Sequence, residues 1–307
     1  MSVSVSGFMI EASLRAAADS ASGPRRERVA AGRGPYAGPV VETAGHGARA
    51  SDEEAVVARL RAAGCVFAED EARLLLETAA GPELEALVAR RTAGEPLEQV
   101  LGWAAFDGLR LVVEPGVFVP RRRTELLVRL ADAALASGTA PVVVELCCGV
   151  GAVATALLRR RPRLEVVAAD LDPVAVRCAR RNLGDRATVV GGDLFAELPS
   201  RLRGRVSVLV ANAPYVPTAA IATMPPEARV HESPLALDGG DDGLDLHRRI
   251  AAEAGEWLSP TGTLLIETSE RQAEATAALF AAAGLVTSVE RDDDLDATAV
   301  RATRPLA

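Results

Sequence analysis

Aromatic residues are scarce in this chain: Phe, Trp and Tyr make up 3% of 307 residues. Its core must be built mostly from Ala, Leu and Val, because apolar residues still reach 49%. Histidine and cysteine are few as well. The three His and the four Cys (Cys65, Cys147, Cys148 and Cys178) form no Cys-x-x-Cys pair. Their spacing argues against zinc, and no metal site is expected. Cys147 and Cys148 are adjacent and would bridge only with strain, so the expected compartment is a reducing one, the cytoplasm. No apolar run is long enough to predict a membrane span. The first residues lack the basic region and unbroken apolar core of a secretory signal. An excess of basic charge is also missing: 34 basic against 42 acidic residues give a net charge of -8. That balance argues against a protein that grips a long stretch of nucleic acid.

What is present falls into four stretches. Residues 1–50 are rich in Gly, Pro, Arg and Ala without a helical or strand period, and read as a disordered leader. Ser51 reads as an N-cap opening a small helical domain over residues 51–93, with apolar stripes at Val56, Val57 and Leu60, at Ala72, Leu75 and Leu76, and at Leu84, Leu87 and Val88. Residues 94–120 read as a hairpin linker, with Val100-Leu101 assigned to strand and a turn near Asp107-Gly108. From residue 121 a helix is expected over 124–136, then strand and helix alternate. Strands are predicted at 142–146, 165–170, 188–190, 206–211, 263–267, 286–290 and 297–303. This is an α/β pattern, a doubly wound and mostly parallel seven-stranded sheet of Rossmann-like type.

The loop Glu145-Leu146-Cys147-Cys148-Gly149-Val150-Gly151 lies where the first sheet strand meets its helix. Glycines there allow a ligand to approach the backbone, and the helix N-terminus offers unpaired N–H groups. Asp170 ends the next strand, where a carboxylate commonly takes ribose hydroxyls. Asp193 ends the one after, at a height that suits an adenine amine, with Leu194 beside the ring. Each carboxylate alone could be a loop cap. Together, at successive strand ends, they read as a nucleotide-type site. The fourth strand runs into Asn212-Ala213-Pro214-Tyr215. A nitrogen conjugated to a carbonyl or a ring is a poor nucleophile. Two acceptors, the Asn212 side-chain oxygen and the Ala213 carbonyl, can hold its N–H groups and turn its lone pair toward a methyl donor. Pro214 stiffens the turn and Tyr215 offers a flat face. A plain polar loop after a strand is the competing reading. His231 reads as a surface histidine, with the acceptor pocket as the other possibility.

Further motifs sharpen this. They are Gly94-Glu95-Pro96-Leu97, Pro115-Gly116-Val117-Phe118-Val119-Pro120-Arg121, Thr124-Glu125-Leu126-Leu127, Asp170-Leu171-Asp172-Pro173, Gly192-Asp193-Leu194-Phe195, and the segment from Glu232 to Leu244. From about Arg90 to Pro305 the chain resembles the protein-(glutamine-N5) methyltransferases that modify peptide chain release factors, within the class I S-adenosylmethionine-dependent superfamily. The resemblance implies S-adenosylmethionine at Glu145, Cys147, Gly149, Gly151, Asp170, Leu171, Asp193, Leu194 and Asn212. It implies the glutamine amide at Asn212 and Ala213, and a pocket lined by Phe118, Pro120 and Arg121 with Thr124 and Glu125 behind. It implies a protein partner of release-factor type, and a monomer is expected. The chain departs from the family in four places: Cys147 stands for Gly, Ala213 for Pro, Arg122-Arg123 for a more acidic pair, and the helical domain is short. Two other readings stay open at this stage: a nucleic-acid methyltransferase acting on an exocyclic amine, and a cofactor-binding module without turnover.

Overall fold

A computed structural model describes residues 46–135 and 141–305, with residues 46–50 described by backbone alone. Within those limits the chain divides into two compact units, Met1–Gly94 and Glu95–Ala307.

The first unit holds three helices, α1 (His46–Ala62), α2 (Ala68–Thr78) and α3 (Gly81–Thr92). Their facing apolar residues, among them Leu60, Ala72, Leu75 and Val88, are buried. Burying one such Leu or Val contributes roughly 1.5–3 kcal/mol. Among them lies a buried ion pair: Arg91 donates from Nε and Nη2 to the two oxygens of Glu71, at 2.6 and 3.0 Å. Ser51 does not cap a helix, because α1 already begins at His46 and runs through it. The rest of the expected leader lies outside the described residues.

The second unit opens with α4 (Leu97–Leu101), a single helical turn and not the strand expected at Val100-Leu101. Pro96 precedes it, and Gly102 ends it in the left-handed conformation at φ 78°. The hairpin follows as β1 (Trp103–Phe106) and β2 (Leu109–Val112), antiparallel, with Phe106 opposite Leu109. Asp107 and Gly108 both have positive φ, the geometry of a tight two-residue hairpin turn. A short 3-10 turn at Arg122–Thr124 leads into α5 (Glu125–Ala134); the expected end at Ala136 lies outside the described residues.

The sheet is built from β3 (Val142–Leu146), β4 (Glu165–Asp170), β5 (Thr188–Gly191), β6 (Val206–Ala211), β7 (Leu258–Thr268), β8 (Val286–Asp292) and β9 (Ala297–Thr303). Their order is β5-β4-β3-β6-β7-β9-β8. The first five are parallel neighbours, and β9 is antiparallel to both β7 and β8. Strand β3 is buried along its whole length and β6 at every residue but Ser207, so they read as near-continuous apolar runs and do not alternate. Between them run α6 (Ala152–Arg160), α7 (Pro173–Leu183), α10 (Asp245–Trp257) and α11 (Ala273–Ala282), while α8 (Thr218–Ile221) and α9 (Pro226–His231) are short loop helices. Helix α7 starts as its sequence dictates: Asp172 accepts from Val174 N at 2.8 Å, and Pro173 occupies the first turn. One aromatic pair stands out in the aliphatic core, Phe195 stacked on Trp257 with ring centroids 5.7 Å apart.

The strand order reverses direction between β3 and β6. The crevice at that switch, outside the carboxyl ends of the strands, is where such sheets bind ligands. The register brings Leu146 level with both Ala169 and Ala211, and Asp170 level with Gly191. Both loops singled out from the sequence therefore open into the same crevice.

Candidate active site

The first half of the site is the loop after β3. Cys147, Gly149 and Gly151 all hold positive φ, at 51°, 55° and 74°. Gly151 is required as glycine, since a Cβ there would stand 3.0 Å from Leu183 Cδ1 on α7. Gly149 faces open space, with nothing within 4 Å of an added Cβ. The loop is held from two sides. Asp170 accepts from Gly149 N through Oδ2 and from Asp172 N through Oδ1, at 2.8 and 2.9 Å. Glu145 is buried and accepts from Val153 N and Ala154 N at the start of α6, at 3.3 and 2.8 Å. Burial pushes its carboxyl up to about 8, against the pull of those two N–H groups. Asn182 of α7 donates to Val150 O and to Val112 O, and accepts from Val112 N, which ties the hairpin to the same loop.

Leu171 is exposed beyond β4, and Leu194 is buried in the core with φ 51°. Asp193 is half exposed and meets Arg249 of α10 at 2.8 Å. Cys147 is partly buried against the core, and burial raises its thiol well above the ordinary range, followed by the nearby Asp170 and Asp193 carboxylates. It stays a protonated thiol, which fits a packing role and not a nucleophile. The donor set fits S-adenosylmethionine. Open glycine backbone, a carboxylate at the β4 end, an exposed apolar side chain after it, and a second carboxylate after β5 match a nucleoside carrying an amino-acid tail.

The second half is the loop after β6. Asn212 Nδ2 donates to Thr124 Oγ1 at 3.2 Å, and Thr124 Oγ1 donates to Glu267 Oε2 at 2.7 Å. Tyr215 donates its hydroxyl to the other oxygen, Glu267 Oε1, at 3.3 Å. Glu267 thus joins three elements: the end of β7, the turn before α5, and the Asn-Ala-Pro-Tyr loop. Burial raises its pKa, and the Arg123 guanidinium and the two hydroxyl donors oppose that shift. The Tyr215 phenol is raised well above its usual value by burial and then by Glu267, so it stays protonated.

With its amide nitrogen committed to Thr124, Asn212 turns Oδ1 the other way. Among the described residues, neither Asn212 Oδ1 nor the buried Ala213 carbonyl accepts a hydrogen bond. The loop itself is pinned from behind: Gln272 Nε2 donates to Tyr215 O at 2.9 Å and to Asp242 O at 3.0 Å. Val216 N donates to Leu237 O and accepts, through its carbonyl, from Gly239 N. The segment from Glu232 to Leu244 thus clamps the loop after β6. Pro214 is buried beneath it.

The linker-side residues gather next to this loop. Arg121 lies over the Phe118 ring at 4.9 Å and pairs with Glu232 at 2.6 Å, while Pro120 is buried. Glu232 also accepts from Val119 N, and Gln99 donates to Val117 O and His231 O. His231 is half-buried, and its backbone carbonyl accepts from Gln99. Glu125 accepts from Asp107 N and so supports the hairpin turn. Glu267, Gln272 and Arg249 were missed in the sequence. The one available signal for Glu267 was an acid closing the apolar run Leu264-Leu265-Ile266. No group of three or more His, Cys, Asp or Glu that could hold a metal occurs among the described residues.

Residues 108–241 match the family described as "Methyltransferase small domain". The release factor glutamine methyltransferase of Geobacter sulfurreducens is 40% identical over 201 residues, covering 64% of this chain and 69% of that protein. The 4-amino-L-phenylalanine/4-methylamino-L-phenylalanine methyltransferase of Streptomyces pristinaespiralis is 38% identical over 246 residues, covering 78% and 84%. The release factor glutamine methyltransferase of Mycolicibacterium smegmatis is 37% identical over 261 residues, covering 79% and 92%. The glycine loop, the strand-end carboxylates and the Asn212 loop thus stand in a fold and a sequence of one kind: the chain belongs to the release factor glutamine methyltransferase family of S-adenosylmethionine-dependent methyltransferases.

Proposed function

We propose that the chain transfers a methyl group to the side-chain amide nitrogen, N5, of a glutamine in a protein, with a peptide chain release factor as the substrate that the relatives' names suggest. The observation that carries this is the pair of uncommitted acceptors on the loop after β6, Asn212 Oδ1 and the buried Ala213 carbonyl. They suit the two N–H groups of one primary amide. S-adenosylmethionine supplies an electrophilic methyl on a sulfonium. The Glu145, Gly149, Gly151, Asp170, Leu171, Asp193 and Leu194 region would hold it. Asn212 and Ala213 hold the target nitrogen with its lone pair facing the methyl, so catalysis is chiefly alignment. The bound cofactor would supply its methyl group to that nitrogen, and the proton the nitrogen then carries would leave for water. Glu267 has both oxygens engaged and Tyr215 keeps its proton, so neither serves as base. Phe118, Pro120 and Arg121 form the linker-side wall. The protein works as a monomer in the cytoplasm, with the unit before Glu95 assisting substrate recognition.

A second reading is favoured by one feature. Arg123 stands beside Tyr215 and Glu267 where the family pattern is more acidic. A conjugated amine on a small molecule that carries a carboxylate, as 4-amino-L-phenylalanine does, would suit it. The net charge of -8 speaks for either acceptor over a nucleic acid. Incubation with radiolabelled S-adenosylmethionine and a cytoplasmic extract separates these. Label released by protease supports the first reading, label in the small-molecule fraction the second, and label released only by nuclease would contradict both.

A further inference from the structure

Arg123 is the side chain that the mechanism leaves unused. Its Nε lies 3.4 Å from Glu267 Oε1, the same oxygen that takes the Tyr215 hydroxyl at 3.3 Å. The guanidinium is therefore held at the end of the Tyr215 wall. Yet its Nε is buried without a hydrogen-bond partner, and among the described residues none of its five N–H donors makes a hydrogen bond. Its side chain is 40% exposed, against 15% for Arg121, which Glu232 already takes in a 2.6 Å pair. An arginine fork presented in this way beside a binding crevice suits a planar anion, which it can take through two parallel hydrogen bonds. The local charge selects the kind of anion. Arg121 and Arg123 face Glu232 and Glu267, and Asp296 also acts on Arg123, so the neighbourhood carries no surplus positive charge. What remains for an anion is uncommitted N–H donors, which suit a singly charged planar group and not a phosphate dianion.

We propose that Arg123 is a specificity-determining residue, forming a subsite for a carboxylate that the methyl acceptor itself carries. The subsite rests on the placement of the acceptor nitrogen at Asn212 and Ala213, and adds a second point of attachment to it. The carboxylate has two possible sources: the α-carboxylate of a free amino acid bearing a conjugated nitrogen, or an acidic side chain next to the target glutamine in a protein. No bond is made or broken at Arg123.

The test measures methyl transfer by the full chain on acceptor pairs that differ in charge and hardly in shape. One pair is 4-amino-L-phenylalanine and its carboxamide. The other is a glutamine peptide with a neighbouring aspartate and the same peptide with asparagine there. In at least one pair the acid is the better acceptor by about tenfold or more in kcat/KM, mainly through KM, as a charge-assisted pair requires. Preference in the first pair identifies the free amino acid as the source, and preference in the second the protein side chain. Arg123→Gln removes the preference and Arg123→Lys keeps part of it. Equal rates within both pairs of the wild-type chain, or a preference that survives in Arg123→Gln, overturns the subsite and leaves the methyltransferase reading standing. Transfer to no acceptor while S-adenosylmethionine is bound overturns both.

Discussion

Glu267 decides the geometry of the acceptor loop, although it never needs to touch the acceptor. Its two oxygens fix two side chains of the loop, Tyr215 directly and Asn212 through Thr124. An Asn side chain free to rotate would offer its oxygen and its nitrogen to the substrate in turn, and only the oxygen can accept an N–H. On the proposed function, Thr124 is thus a positioning residue. Replacing it by Val keeps the shape, removes both hydrogen bonds and leaves the Asn212 amide unguided. The expected result is a fall in kcat of about 10- to 100-fold, with affinity for S-adenosylmethionine unchanged and most of the loss restored by Thr124→Ser. A merely structural role would instead lower stability in step with both parameters. At this scale the sequence reveals part of the site. Asn212, Pro214 and Tyr215 lie within four positions of the sequence, and the structure keeps them on one loop. Glu267 reaches Thr124 across 143 positions, and no local pattern records such a contact.

The elements follow from local rules where local rules dominate, and depart from them where a tertiary demand intervenes. The Asp172-Pro173 start of α7 and the fully buried β3 stand as the residues foretell. Val100-Leu101 has the composition of a strand but closes a helical turn, because Gln99 on that turn must reach Val117 O, Gly116 N and His231 O. Ser51 has the chemistry of a cap but sits inside α1. Glu145 ends up serving α6, whose first amides it accepts, and its burial gives the fold a dependence on pH. Its carboxyl rises from an ordinary value near 4.5 to about 8 on folding. The folded state therefore holds that proton more tightly than the unfolded chain does. The resulting stabilisation is complete below the unfolded pKa and is lost as pH rises through the folded value. Denaturant unfolding between pH 5.5 and pH 8.5 should show stability falling over that window, with each shifted unit worth about 1.4 kcal/mol. Glu145→Gln should flatten the slope; an unchanged slope would remove Glu145 as its source.

At the scale of the whole molecule, the order β5-β4-β3-β6-β7-β9-β8 sets the β3 and β6 loops next to each other, though they lie some 60 residues apart in the chain. The alternation of strand and helix foretold a parallel sheet, but neither the strand order nor the crevice it creates is written in any one segment. Every one of the 34 basic residues is arginine. Forked donors accordingly appear at each ionic contact, from the buried Arg91–Glu71 pair to Arg249 at Asp193. Family membership follows from the relatives, while the proposed acceptor site rests on the Asn212 loop and the proposed subsite on Arg123.

The central claim is that the acceptor nitrogen is held by Asn212 and the Ala213 carbonyl. It is tested most directly by comparing the wild-type chain with Asn212→Ala for two quantities, S-adenosylmethionine affinity and methyl transfer to an acceptor that the wild type modifies. The account expects transfer to fall by about 100-fold or more while cofactor affinity stays within about threefold. Transfer that persists at the wild-type rate in Asn212→Ala would contradict it.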